Sequence, residues 1–241
     1  MQRVRCDTYL QSRNILHRPT SCVSVDKMVQ WLVIGISGVT CGGKTSLATG
    51  LHSFFTTNQN KHILNTNLVV GDTFVLNQDN YFLPEDDMRH KLIPKLNHIN
   101  WEVMTALDME KMLSDIRDIL KPGFILYDKN RILPTTFQEQ HQQQINILIL
   151  EGFLIFNHPQ LLQLCQVKFH LHLPYEKCFQ RRQNREYNPP DVTGYFEMCV
   201  WPMYERHFRE IRDCEEIIML NGELSRERLL NFALRCIGRF L

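Results

Sequence analysis

Apolar residues recur along this chain in two rhythms. Trp31, Leu32, Val33, Ile34 and Ile36 make the short continuous run of a buried strand, and Leu47, Leu51 and Phe54/Phe55 follow at helical spacing. Leu68 to Leu76 is a second apolar segment interrupted by Gly71-Asp72, so only its Phe74-Val75-Leu76 end reads firmly as strand. Trp101 to Leu120 carries Val103, Leu107, Met112/Leu113, Ile116 and Leu120 along one face, which predicts an amphipathic helix stopped by Lys121-Pro122-Gly123. Ile145 to Leu150 and Val167 to Leu173 are further strands. The alternation of the latter puts Lys168, His170 and His172 on one face, expected to be solvated. Pro174 to Arg185 reads as a helix with proline in its first turn, and another helix runs from Val200 towards Cys214. Glu216 to Leu220 gives a last short strand. A terminal helix follows, with Leu229, Leu230, Phe232 and Leu234 available to pack. Strands alternating with helices predict one doubly wound α/β domain over residues 28–241, with a mainly parallel sheet and helices on both faces.

The polar stretches are connections. Residues 1–27 lack periodicity and are expected to be a disordered extension, or sequence upstream of a start at Met28; an Arg-rich transit peptide is the alternative. Leu83 to Asn100, with Pro84 and Pro94, reads as a surface loop, Phe124 to Leu133 as a short hairpin arm, and Gln138 to Gln144 as a solvated connector.

Composition adds exclusions. A formal net charge of +1 gives no electrostatic case for nucleic acid or an anionic membrane as partner. No apolar run approaches the roughly 18 residues that span a bilayer. The eight cysteines form no C-x-x-C pair and read as reduced thiols of a cytoplasmic protein, expected as a monomer.

The chemistry enters where the first strand ends. Gly38-Val39-Thr40-Cys41-Gly42-Gly43-Lys44-Thr45 fits G-x-x-x-x-G-K-[ST] between strand and helix. Such a P-loop turns backbone N–H groups towards phosphate, adds a helix N-terminus, lets Lys44 reach the β- and γ-phosphates, and offers the Thr45 hydroxyl to Mg²⁺. Glu151, ending an apolar strand before Gly152, has the form of a Walker-B carboxylate acting on the same ion. Asp79 follows the second strand, where ligands of doubly wound sheets gather; a turn-forming role is equally open on position alone. Arg181, Arg182 and Arg185 suggest a helical lid around 175–195 that closes over phosphates. The set is equipment for phosphoryl transfer from ATP, with Asp79 as the group that orients the acceptor hydroxyl and takes its proton late.

With these stretches, Gln78-Asp79-Asn80-Tyr81-Phe82, Leu150-Glu151-Gly152-Phe153-Leu154, Pro174-Tyr175-Glu176-Lys177-Cys178, Tyr187-Asn188-Pro189-Pro190-Asp191 and Val200-Trp201-Pro202-Met203-Tyr204 together resemble the nicotinamide riboside kinases. The resemblance implies ATP-dependent 5′-phosphorylation of nicotinamide riboside, in NAD salvage, with Mg²⁺ bound by Thr45, Asp79 and Glu151. It makes Lys44 and Asp79 catalytic and puts Trp101 in a stack with the cationic nicotinamide ring, Tyr187 on the ring's other face, and Glu102 on the ribose hydroxyls. Asn80, Tyr81, Phe82, Arg182 and Asn188 would line the acceptor. Gly38 to Ser46, Arg181, Arg185, Glu186, Tyr187, Leu224, Ser225 and Arg226 would serve ATP. Asn80 stands where the family often has a second Asp, Glu102 where it commonly has Asp, and Cys41 lies inside the loop. A uridine/cytidine- or pantothenate-type kinase, or a weakened nucleotide-binding scaffold, are the alternatives; a GTPase is disfavoured by the absence of an Asn-Lys-x-Asp run.

Overall fold

The computed structural model describes residues 30–64, 66–130 and 143–241, so the expectations for residues 1–27, 131–133 and 138–142 lie outside the described residues. Strand β1 (Gln30–Gly38) is buried at every position and runs into the loop before α1 (Lys44–Thr57). Then come β2 (Val69–Asn77), the short antiparallel pair β3 (Leu92–Ile93) and β4 (His98–Ile99), and α2 (Met109–Leu120). Strand β5 (Ile125–Leu126) precedes β6 (Gln144–Glu151), α3 (Pro159–Leu164) and β7 (Val167–His172). Helices α4 (Tyr175–Gln183) and α5 (Trp201–Ile211), strand β8 (Ile217–Asn221) and α6 (Arg226–Phe240) complete the order.

The main sheet runs β2-β6-β1-β7-β8, all parallel, with β5 beside the start of β1. Alternation along β1 divides the core. Leu32, Ile34 and Ile36 join Leu47, Leu51 and Phe55 of α1 and Leu229, Ala233 and Ile237 of α6. Trp31 and Val33 face Met112 and Ile116 of α2, Leu161 of α3 and Ile211 of α5. The chain leaves β1 towards β2 on one side, while β7 and β8 lie on the other. The end of β1 is therefore the topological switch point, where such sheets bind ligands.

Four local expectations need correcting. The helix begins at Met109, not Trp101, because the Asp108 side chain accepts from the Lys111 N–H at 3.0 Å and caps it; a 3₁₀ turn at Met104–Ala106 stands before it. Strand β2 already starts at Val69, and Gly71-Asp72 is a bulge inside it. A Cβ on Gly71 would meet Asn146 Oδ1 at 2.0 Å, and that oxygen accepts from Asp72 N–H at 2.8 Å. Residues 125–126 pair in parallel with β1 rather than forming a hairpin arm, at the level where β7 has not yet begun. The Lys168/His170 face of β7 is covered. His170 is 2% exposed and stacks on Phe208 at 5.1 Å, and Lys168 pairs with Glu216 at 2.5 Å. Desolvation pushes His170 down to about 3, so it is neutral.

Candidate functional site

The loop after β1 is shaped by backbone positions that resist side chains. Gly38 (φ 141°) lies against Leu171, whose carbonyl would sit 2.3 Å from an added Cβ. Cys41 and Gly43 are left-handed, Val39 N–H donates to Leu171 O at 3.0 Å, and Gly42 N–H to Val39 O at 3.1 Å. Helix α1 starts with neither a side-chain cap nor an acidic residue in its first turn, leaving its first amides and positive end for an anion. Lys44 Nζ donates to Val39 O at 3.0 Å, and Thr45 Oγ1 donates to Glu151 Oε1 at 3.0 Å.

Glu151 is 2% exposed; burial raises its carboxyl above the usual range, while Lys44 and the Thr45 hydrogen bond pull it back. A buried carboxylate touching a hydroxyl at a phosphate-binding helix start fits Mg²⁺, which keeps waters and phosphate oxygens instead of an all-protein cage. No cluster of three or more His, Cys, Asp or Glu suited to a metal occurs among the described residues.

Beside Glu151, Gly152 lets Gln78 pack against the backbone. A Cβ there would meet the Gln78 Cβ at 2.3 Å, and Gln78 Oε1 accepts from Leu154 N–H at 2.9 Å. Gln78 thus fastens the loop after β2 to the loop after β6 and sets the position of its neighbour Asp79. The Asp79 N–H donates to Asn77 Oδ1 at 2.8 Å, and its carboxylate is exposed. Gln78 went unassigned in the sequence, where an apolar strand followed by polar residues gives no hint of a clasp 76 positions long.

Tyr81 is withdrawn from the acceptor side. It is buried against α2, and its hydroxyl donates to Asp115 at 2.9 Å; desolvation and Asp115 push it up to about 12. Phe82 instead stacks on Phe153 at 5.9 Å and stands edge-on to Trp101 at 5.7 Å, with His90 on Trp101 at 4.6 Å. Trp101 Nε1 is buried and has no hydrogen-bond partner among the described residues. Three groups hold the segment: Trp101 N–H donates to the Tyr195 hydroxyl, Glu102 N–H to Asn100 Oδ1 (both 3.0 Å), and His207 Nε2 donates to the Glu102 carbonyl at 2.8 Å. The Glu102 carboxyl is pushed up to about 7, first by burial, with Arg182 and Lys44 opposing and Asp191 and Asp79 adding. Its Oε1 lies 3.7 Å from Arg182 Nη2.

Helix α4 brings the arginines over the loop. Arg181 Nη1 donates to Cys41 O at 3.1 Å and Gly222 O at 3.0 Å. Arg182 is 7% exposed, bidentate to Asp191, and donates to Thr40 Oγ1 at 3.1 Å. Tyr187 lies 4.2 Å from the Arg182 guanidinium and 5.0 Å from that of Arg185, and its hydroxyl meets Thr40 Oγ1 at 3.2 Å. The Tyr187 ring therefore stands over the Arg182 guanidinium beside Thr40 of the phosphate loop. Asn80, Glu186 and Asn188 are exposed.

A groove of about 460 Å³ runs from the loop past Ser46 and Arg181 to Gly222, Leu224 and Arg226. It offers room for a nucleotide base. Ser225, on its rim, also caps α6 by accepting from Arg228 N–H at 3.3 Å.

No family model matches the chain. It is 36% identical over 198 residues to nicotinamide riboside kinase 1 of Homo sapiens, covering 82% of this chain and 87% of that protein. Nicotinamide riboside kinase 2 of Mus musculus matches at 32% over 214 residues, 86% and 95% of the two chains. A uridine kinase of Shewanella denitrificans matches at 24% over 208 residues, 82% and 91%.

Proposed function

The chain belongs to the nicotinamide riboside kinase family, and from that premise we propose that this site transfers the γ-phosphoryl of ATP to the ribose 5′-hydroxyl of nicotinamide riboside. The product is nicotinamide mononucleotide, in NAD salvage. One observation carries the reading. The phosphate loop follows β1 and touches the end of β6 through Thr45 and Glu151, the Asp79 turn follows β2 where Asn77 pairs with Glu151, and Glu102 faces the Arg182 that donates to Thr40 of the loop.

Phosphoryl transfer demands alignment and charge neutralisation more than covalent help. Lys44, now on the Val39 carbonyl, exchanges that partner for phosphate oxygens. Thr45 and Glu151 would hold Mg²⁺, which would supply neutralisation of charge on the phosphates. Asp79, exposed at the loop's mouth, orients the 5′-hydroxyl and takes its proton as the new P–O bond forms. Trp101 stacks on the pyridinium ring, where the positive charge favours an aromatic face, and Glu102 accepts from ribose hydroxyls. Arg181 and Arg185 serve ATP, with the groove by Leu224 and Arg226 taking the base.

No helix among the described residues is long and apolar enough to cross a membrane. Unpaired thiols at Cys41, Cys165, Cys178, Cys199, Cys214 and Cys236 support a reducing, cytoplasmic setting. Asp79→Ala tests the assignment. Turnover should fall by orders of magnitude while ATP affinity survives; near-normal turnover would remove Asp79 from the chemistry.

A further inference from the structure

We propose that Asp191 is the positioning residue that presents Arg182 to the phosphate loop, so that the lid acts through an Asp191–Arg182–Thr40 relay. The inference rests on the kinase reading above for what the relay accomplishes.

Arg182 has five N–H donors in a rigid plane. Asp191 takes two of them along one edge, Nε at 2.6 Å and Nη2 at 2.9 Å. That bidentate grip fixes the plane of the guanidinium and points the opposite corner, Nη1, at Thr40 Oγ1. The Tyr187 ring 4.2 Å away covers one face and blocks rotation there. Glu102 approaches Nη2 only to 3.7 Å, too far to set the orientation. By count, one Nη1 proton and one Nη2 proton remain. They lie between the phosphate loop and Glu102, where the transferring group and the acceptor sugar would meet.

The chain path explains why Asp191 is suited to this. It lies nine positions after Arg182, beyond the end of α4, with Pro189-Pro190 just before it. The ion pair thus ties the lid's outgoing helix to the irregular segment that returns from it. Its side chain is 28% exposed, compared with 7% for Arg182, so the carboxylate is accessible to substitution without opening a core. The Thr40 hydroxyl in turn meets the Tyr187 hydroxyl at 3.2 Å, and the Thr40 carbonyl accepts from Cys178 Sγ at 3.2 Å. Thr40, in the middle of the phosphate loop, is therefore held from the lid side by Arg182, Tyr187 and Cys178. Losing the Asp191 grip leaves Arg182 charged but free to swing, which costs alignment rather than charge.

The test is a double-mutant cycle of Asp191→Asn and Arg182→Lys, with kcat and KM for both substrates, on whichever riboside the wild-type enzyme phosphorylates. Asp191→Asn should lower kcat about 10- to 100-fold, with KM for ATP changed about twofold at most and melting temperature nearly unchanged. The double variant should be no worse than Arg182→Lys alone, because one relay is broken once. Asp191→Glu, which keeps the charge, should recover part of the loss. Additive losses, a normal kcat in Asp191→Asn, or no recovery in Asp191→Glu would overturn the relay. If Asp191→Asn melts early, the Asp191→Glu and Arg182→Lys pair is read by the same additivity rule. Preference of the wild type for uridine would count against the substrate reading and leave this test intact.

Discussion

The Thr45 hydroxyl donates to the Glu151 carboxylate at 3.0 Å across 106 positions of chain, tying the first turn of α1 to the end of β6. Two motifs that are separate in sequence thereby become one edge of the phosphate loop, the edge proposed above to hold Mg²⁺. Glu151→Gln keeps the hydrogen bond but removes the charge. We expect kcat to fall by about two to three orders of magnitude and the Mg²⁺ concentration needed for half-maximal rate to rise. An unchanged Mg²⁺ dependence would separate Glu151 from the ion.

Glu102 gives the site a pH dependence. Its folded value near 7 lies above the ordinary carboxylate value of 4.5. Between these values the folded chain holds a proton that the unfolded chain has released. Stability from this group is thus fully present below about pH 4.5 and is lost as pH rises towards 7. The melting temperature of Glu102→Gln relative to wild type should therefore climb between about pH 5 and pH 8. The ionised form also accepts ribose hydroxyls better, so the riboside KM should fall across the same interval, and Glu102→Gln should abolish that fall. A flat difference in melting temperature would place Glu102 in a wetter environment.

Trp101 should discriminate by charge. Replacing it with alanine removes the ring from the cationic base, raising the KM for nicotinamide riboside about tenfold, with Trp101→Phe intermediate. Neutral uridine should lose less. Equal losses for both nucleosides would reduce Trp101 to a packing role with His90 and Phe82.

The half-buried Cys41 thiol lies 3.5 Å from the Tyr187 hydroxyl, within the loop that wraps the phosphates. Mg-ATP should slow its alkylation severalfold, as followed by peptide mass spectrometry. Equal labelling with and without nucleotide would contradict the placement of ATP.

What could be read from the chain tracks how local the physics is. β1, the phosphate loop and the strand ending at Glu151 were legible because burial and backbone strain are written in consecutive residues: an apolar run, then glycines, then Lys44-Thr45. The start of α2 was misread because the apolar face continues back to Val103, whereas one side chain, Asp108, decides where the helix begins. The β7 face differs from its expectation because Lys168 and His170 look solvated until the fold brings Tyr204 and Phe208 of α5 onto His170 and Glu216 onto Lys168. Tyr81 belongs to α2 for the same reason, through Asp115. Gln78 and Asp191 lie in stretches that carry the family resemblance, but their contacts, with Gly152 and Arg182, are set by the fold and not by neighbouring residues.

The most direct test of the account is product formation. Purified wild-type protein is incubated with Mg-ATP and, in parallel, nicotinamide riboside, uridine and pantothenate, and phosphorylated products are followed by mass spectrometry. The account predicts nicotinamide mononucleotide formed in marked preference to uridine monophosphate or phosphopantothenate. Phosphorylation of uridine or pantothenate alone, or no product from any acceptor despite tight ATP binding, would contradict it.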